Sequence, residues 1–150
     1  MSDYTEQKNL VFYADDDLDD IELIKDAFSR YSNQVYLETA MDGMEAMSML
    51  HNYAENGIKP CLIILDINMP KLDGRETLTR LRQLDHFQKI PVILFTTSSQ
   101  PSDKHFAEKH NAGFITKPID FTQLETIINT FIDHCTDDIK DILRTKNNGR

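Results

Sequence analysis

Five short apolar runs alternate with segments of helical periodicity along the chain. The runs lie at residues 10–14, 35–40, 61–66, 91–96 and 113–116. The third and fourth runs are apolar at consecutive positions and stand next to proline, which is typical of strands that are covered on both faces of a parallel sheet. Each run is therefore predicted to be a strand.

The segments between the runs carry apolar residues at helical spacing. The strongest pattern, near the end of the chain, consists of Phe121, Leu124, Ile127, Ile128, Phe131 and Ile132. In the segment after the fourth run, Ser102 or Asp103 is a predicted N-cap following Pro101. Because strand and helix alternate five times, we expect an open parallel sheet with helices on both faces and right-handed crossovers.

Polar side chains follow four of the five predicted strands. Asp15 and Asp16 come directly after the first run, Asp66 and Thr96 end the third and fourth, and Lys117 follows the fifth. In such sheets the ligand site lies at the carboxyl ends of the strands, so these side chains should meet. Neighbouring carboxylates repel each other, and carboxylate oxygens suit Mg²⁺. The sequence therefore predicts a magnesium site.

The same side chains suit the chemistry of phosphoryl transfer. A cation would let a phosphoryl group approach Asp66, whose carboxylate is then a candidate nucleophile that forms an acyl phosphate. Lys117 would neutralise charge on the transferred group, and the Thr96 hydroxyl would hydrogen-bond one of its oxygens. Pro118 restricts Lys117 to extended geometry, and either this restriction or a cis bond between them would aim the ammonium.

Four ordered motifs carry a resemblance to a known family. They are "FYADDD" with Asp15 and Asp16, "LIILDINMPKLDG" with Asp66, "PVILFTT" with Thr96, and "GFITKP" with Lys117. The chain resembles a response-regulator receiver domain, the module that accepts phosphate from a histidine kinase or a phosphotransfer protein. The resemblance spans residues 8–134, the predicted receiver domain. Residues 135–150 are predicted to be a tail or an extension of the last helix.

The resemblance implies a fold and a set of roles. The fold is α/β, a flavodoxin-like doubly wound five-stranded parallel sheet in the order 2-1-3-4-5 with helices on both faces. Asp66 would be the phospho-acceptor and would bind Mg²⁺ together with Asp16 and the backbone carbonyl of Asn68. Asp15 would act mainly through a water molecule. Thr96 and Phe114 would form the switch pair.

The net charge and the cysteine content limit the classes of partner and the cellular location that we expect. The formal net charge is −9, which disfavours nucleic acid and anionic membranes as partners. The first ten residues have no apolar signal core, and no apolar run approaches membrane-spanning length. The two cysteines, Cys61 and Cys135, are expected to be reduced thiols, so a cytoplasmic location is predicted.

The expected partners are proteins. They are a histidine kinase or phosphotransfer protein and a downstream protein target, with a homodimer as one option. The family signals by accepting a phosphoryl group, with self-catalysed phosphorylation and dephosphorylation. We therefore predict a stand-alone, single-domain signalling switch without an output domain in this chain, rather than an enzyme acting on an external substrate.

Parts of the acidic cluster are also compatible with other classes of protein. The Asp15-x-Asp17 pattern resembles the nucleophile loop of haloacid-dehalogenase-like phosphatases, although that class would want Thr or Val where Asp19 stands. A degenerate receiver that only binds partners would neither bind magnesium nor accept phosphate. An EF-hand is discarded because Asp20 and Asp26 occupy its Gly and Glu positions. The stretch between Thr96 and Phe114 is short compared with many relatives, which predicts a short or displaced fourth helix.

Overall fold

A computed structural model describes residues 9–31, 35–118, 122, 124–136 and 140. The strands are β1 (Asn9–Ala14), β2 (Val35–Ala40), β3 (Leu62–Leu65), β4 (Val92–Thr96) and β5 (Gly113–Thr116). The helices are α1 (Leu18–Phe28), α2 (Gly43–Glu55), α3 (Gly74–Arg82), α4 (Pro101–Lys109) and α5 (Leu124–Asp133). Short 3₁₀ turns lie at Ser29–Tyr31 and Asp85–Phe87.

The five strands form one parallel sheet in the order β2-β1-β3-β4-β5, which confirms the predicted topology. The register aligns the strand ends. Ala14 of β1 pairs with Ala40 on one side and with Leu65 on the other, and Leu65 pairs with Leu94 of β4. The residues that follow these positions therefore emerge at one edge of the sheet.

Alternate side chains of the central strands enter two separate cores, one on each face of the sheet. Phe12, Ile63 and Leu94 pack in the core formed with α2, α3 and α4. Tyr13 and Phe95 belong to the opposite core, which is formed with α1 and α5. Since both faces are covered, the third strand is apolar at every position and the fourth is apolar at every position before Thr96.

Aspartate caps begin three of the helices. The carboxylate of Asp17 accepts hydrogen bonds from the amides of Asp19 and Asp20 at the start of α1, and Asp42 and Asp73 cap α2 and α3 in the same way. Asp17, which follows the acidic pair in the sequence, is thus the residue that starts α1. A residue with this side chain satisfies amides that have no partner within the helix.

The start of α4 differs from its prediction. Its N-cap is Gln100, which makes no side-chain capping bond, and Pro101 occupies the first turn. Proline suits that place because it has no N–H to leave unsatisfied. The carboxylate of Asp103 instead accepts a hydrogen bond of 2.6 Å from the Ser98 hydroxyl. The predicted N-cap at Ser102 or Asp103 was therefore wrong, whereas the expected short helix is present with nine residues.

Few residues of the predicted tail are described. Residues 137–139 and 141–150 lie outside the described part, and with them most of the predicted helical extension. Cys61 and Cys135 are free thiols, as expected. Among the helices that are described, none combines the length and the apolar character needed to span a membrane.

Gly74, the first residue of α3, allows the helix to approach the loop after β3. A Cβ atom built on Gly74 would lie 2.2 Å from the carbonyl oxygen of Asp66 and 2.8 Å from the Cα of Ile67. Gly74→Ala should therefore push this loop away and lower the free energy of unfolding by about 1–3 kcal/mol, as overpacking typically does. Chemical denaturation measures the change. Arg80→Ala, at an exposed position of the same helix, is the control and should change it much less. Equal effects of the two substitutions would contradict the close-approach argument.

Candidate functional site

Backbone hydrogen bonds continue the sheet beyond the last strand residues and bring the polar side chains together. The amide of Asp15 donates to the Ala40 carbonyl at 3.0 Å, and the amide of Asp66 donates to the Ala14 carbonyl at 2.9 Å. On the other side of the sheet, the amide of Lys117 donates to the Thr96 carbonyl at 2.6 Å. Asp15, Asp66 and Lys117 are thus each fixed by a main-chain bond to the neighbouring strand.

Three carboxylates meet at this edge. Asp15, Asp16 and Asp66 each offer an oxygen, and these oxygens all lie within 4.8 Å of one another. Asp15 and Asp66 are buried, whereas Asp16 is exposed. This donor set suits a small, hard divalent cation, which takes a few carboxylate oxygens and keeps several waters. The structure therefore places together the carboxylates that the sequence selected.

Asn68 lies in the loop that follows β3. Its amide donates to Oδ1 of Asp66 over a long 3.4 Å, and the loop is closed by a 2.8 Å bond from the Gly74 amide to the Ile67 carbonyl. The Asn68 side chain is exposed. The geometry keeps Asn68 beside Asp66, and the role of its carbonyl as a metal ligand stays a prediction.

The Lys117 ammonium contacts three carboxylates. Its Nζ lies 2.7 Å from Asp15 Oδ2, 2.8 Å from Asp20 Oδ2 and 3.4 Å from Asp66 Oδ2. Burial by itself would lower the pKa of Lys117, but the hydrogen bonds to Asp15 and Asp20 and the charge of Asp66 raise it above its ordinary value. The ammonium is therefore charged. No cis peptide bond occurs among the described residues, so the Lys117–Pro118 bond is trans.

Asp20 contacts Lys117, and the sequence pattern did not predict this contact. The acidic residue suits the first turn of α1, near the helix N-terminus, and from there its carboxylate also reaches Lys117. The two residues are 97 positions apart, so helical or strand spacing gives no signal of the pair. Only the packing of α1 against the sheet reveals it.

Tyr13 contacts Asp15, a second contact that the sequence analysis did not predict. Its hydroxyl donates a 2.5 Å hydrogen bond to Oδ2 of Asp15 and is buried. Burial raises the pKa of Tyr13, and the nearby Asp15 carboxylate raises it further, so the phenol is a protonated donor. The sequence carried a usable signal, since Tyr13 and Asp15 are two residues apart and share one side of the strand.

Both oxygens of Asp15 are engaged. Oδ2 accepts from Tyr13 and Lys117, and Oδ1 accepts from the Asp17 amide at 2.9 Å. A carboxylate held in this way is oriented toward its neighbours and has little freedom to attack a substrate. The arrangement disfavours the phosphatase interpretation, in which this loop supplies the nucleophile.

Asp66 has the most perturbed carboxyl of the site. Burial raises its pKa, the Asp15 charge raises it further, and Lys117 opposes both, which leaves the pKa at about 7. In the metal-free protein Asp66 is thus partly protonated near neutral pH. A cation in the carboxylate cluster would favour the ionised form, which is the nucleophilic one.

Thr96 and Phe114 lie on neighbouring strands. The Thr96 side chain is buried, and its hydroxyl accepts a 3.2 Å hydrogen bond from the Ser98 amide. Phe114 pairs with Leu94, two residues before Thr96, and packs against the core formed with α2, α3 and α4. The two predicted switch residues are close in the sheet, and their coupling stays a prediction.

Comparisons with known proteins agree with this geometry. The response regulator receiver domain, as a family, matches residues 11–129. The chain belongs to this family. It is 33% identical over 105 residues to the response regulator Rcp1 of Synechocystis sp.. The aligned stretch covers 69% of this chain and 71% of Rcp1.

Solved structures show the same fold. The phosphorylated cyanobacterial phytochrome response regulator RcpA superimposes with a TM-score of 0.78 at 31% identity, over 86% of this chain and 97% of that one. The Mn²⁺-bound form of Rcp1 gives a TM-score of 0.74 at 28% identity, over 81% of this chain and 90% of that one. The receiver domain is a signalling module of two-component systems, so the family and fold predictions are confirmed.

The raised pKa of Asp66 makes the stability of the metal-free receiver depend on pH. The folded protein binds this proton up to about pH 7, whereas the unfolded chain releases it near 3.8. Between these values the folded state holds more protons, so stability falls as pH rises and the full loss is reached above pH 7. Asp66→Asn should remove this loss.

Thermal unfolding in excess chelator at pH 5 and pH 8 measures the effect. We expect Asp66→Asn to melt above the wild type at pH 8 by at least about 3 °C, the shift that about 1 kcal/mol produces in a domain of this size, and by less at pH 5. Asp85→Asn, at the opposite end of the sheet, should follow the wild type at both values. A constant difference between Asp66→Asn and wild type would refute the titration argument.

Proposed function

We propose that this receiver accepts a phosphoryl group on Asp66 from a histidine kinase or a histidine phosphotransfer protein in a Mg²⁺-dependent reaction. The observation that carries the proposal is the position of Asp66, a buried carboxylate that lies beside the carboxylates of Asp15 and Asp16 and in contact with the Lys117 ammonium. Acidic oxygens for a cation and a fixed positive charge thus flank one nucleophile.

The transfer of the phosphoryl group is a substitution at phosphorus. A carboxylate oxygen of Asp66 forms the new P–O bond while the P–N bond to the donor histidine breaks. The electron pair of that bond stays on the ring nitrogen, so the histidine, with a proton on its other ring nitrogen, leaves as neutral imidazole. Lys117 neutralises negative charge on the phosphoryl oxygens. Mg²⁺, held by Asp16, Asp66 and the Asn68 carbonyl with Asp15 acting through water, would supply further positive charge.

The comparisons support the proposal without testing it on this chain. RcpA was solved in a phosphorylated form, and Rcp1 was solved with Mn²⁺ bound. The intact set of carboxylates, hydroxyl and ammonium speaks against a degenerate receiver. The described part of the chain thus has each side chain that the proposed chemistry requires.

We further propose that the protein acts in the cytoplasm and that its output passes through contacts with a downstream protein. The net charge of −9, which disfavours nucleic acid as a partner, supports this. A homodimer is compatible with it. In this proposal the protein is a signalling switch and turns over no external substrate.

Labelling with a small phosphodonor tests the phospho-acceptor. Incubation with Mg²⁺ and acetyl phosphate should add one phosphoryl group, which mass spectrometry maps to Asp66. Asp66→Asn should remove the label because an amide is a poor nucleophile, excess chelator should prevent it, and Asp85→Asn should retain it. Label that persists in Asp66→Asn, or that forms fully in chelator, would overturn the assignment.

Thr96 is proposed to couple the phosphoryl group to the surface of α4, β5 and α5. A phosphoryl oxygen is a strong acceptor, so the hydroxyl would leave the Ser98 amide and approach it, and Phe114 would turn into the space beside β4. Phe has no hydroxyl, so this step depends on packing. Thr96→Ala should therefore still accept phosphate but couple it poorly to Phe114.

Amide and methyl NMR spectra with and without beryllofluoride measure this coupling. We expect the response around Phe114 to be strongly reduced in Thr96→Ala. Thr97→Ala, which changes the exposed neighbouring threonine, should respond like the wild type. If Thr96→Ala gives the full wild-type response, the hydroxyl is not the link.

A further inference from the structure

The Lys117 ammonium lies closer to helix α1 than to the proposed phospho-acceptor. Of its three donor hydrogens, two are matched by the short contacts to Asp15 and Asp20, at 2.7 and 2.8 Å. The contact to Asp66 is 3.4 Å, longer than a usual hydrogen bond. The side chain is 5% exposed, so solvent contributes little to its position.

Asp20 supplies the contact that draws Lys117 away from Asp66. Its carboxylate is 15% exposed and stands in the first turn of α1, where the Asp20 amide donates to Asp17 at 3.2 Å. Helix capping therefore fixes the backbone that carries this carboxylate. Asp15 would keep Lys117 in the site without Asp20, because its own bond to the ammonium is independent of α1.

We infer that Asp20 is a positioning residue that competes with the incoming phosphoryl group for Lys117 and thereby slows phosphorylation of Asp66. The inference rests on the proposed function. The oxygens of a phosphoryl group on Asp66 need the Lys117 ammonium as a hydrogen-bond donor. While Asp20 accepts one of the ammonium's hydrogen bonds, that donor hydrogen is not available to the phosphoryl oxygens.

Charge acts in the same direction as geometry. The described part of the site holds four carboxylates, those of Asp15, Asp16, Asp20 and Asp66, and only the Lys117 ammonium contacts them, reaching three of the four. An approaching phosphodonor is itself an anion, so every uncompensated carboxylate raises the barrier to its approach. Neutralising Asp20 both loosens Lys117 and removes one negative charge.

The matched pair Asp20→Asn and Asp19→Asn separates contact from charge. Both substitutions remove one carboxylate from the first turn of α1, but Asp19 is exposed. Asn at position 20 still offers an oxygen to Lys117, though a weaker acceptor than a carboxylate. With Mg²⁺ and acetyl phosphate, we expect Asp20→Asn to be labelled about fivefold faster than wild type, which is about 1 kcal/mol at 1.36 kcal/mol per tenfold. Asp19→Asn should stay within about twofold.

Two further measurements exclude a purely structural role. The ¹⁵N resonance of the Lys117 ammonium in the metal-free protein should shift in Asp20→Asn and stay unchanged in Asp19→Asn. Asp20→Glu, which restores the charge, should bring the labelling rate back toward the wild-type value. Asp20→Ser removes the same carboxylate with a smaller side chain and should also be fast, so the test does not depend on one variant folding.

The outcomes are distinct. Faster labelling of Asp20→Asn and Asp20→Ser, with wild-type-like Asp19→Asn, supports the competition. Equal rates for Asp20→Asn and Asp19→Asn overturn it, as does a slower Asp20→Asn, which would make Asp20 an anchor of the productive Lys117 position. If wild-type Asp66 accepts no phosphate at all, the proposed function itself fails.

Discussion

The balance between one buried ammonium and the carboxylates around it governs the functional edge of this protein. Lys117, which follows β5, is in contact with Asp15, Asp20 and Asp66. Buried carboxylates without such a partner would be strongly unfavourable. The carboxyl ends of β1, β3 and β5 and the start of α1 therefore meet through this one side chain.

The sheet fixes the positions of these charged groups relative to one another. Main-chain bonds hold Asp15 to β2, Asp66 to β1 and Lys117 to β4, so each charged group is fixed relative to the next strand and not to a loose loop. Tyr13 adds a protonated donor from inside the core, which orients Asp15 from the side opposite to solvent. A site that is built on strands keeps its geometry as long as the sheet is intact.

The metal-free site is electrostatically incomplete. Even with Lys117 present, burial and the Asp15 charge raise the pKa of Asp66 to about 7, so part of the population carries a proton on the proposed nucleophile. A divalent cation and a phosphoryl group bring charge of opposite sign to the same cluster. Stability, metal binding and phosphorylation are expected to be linked through the same carboxylates, because each process changes the charge that the others experience.

The sequence by itself determined the fold and the polar residues of the site that stand at the strand ends. Apolar runs with the period of buried strands gave the order of elements, and Asp15, Asp66, Thr96 and Lys117 stand directly at strand ends, where a parallel sheet gathers its side chains. The tertiary structure alone decided which partners those side chains take. Asp20 meets Lys117 only through the packing of α1 on the sheet, because the two residues are 97 positions apart. The carboxylate of Asp103 bonds the Ser98 hydroxyl instead of capping α4, whose N-cap is Gln100. Local spacing carries no information on contacts between distant elements, which depend on how helices pack and not on the pattern within any one of them.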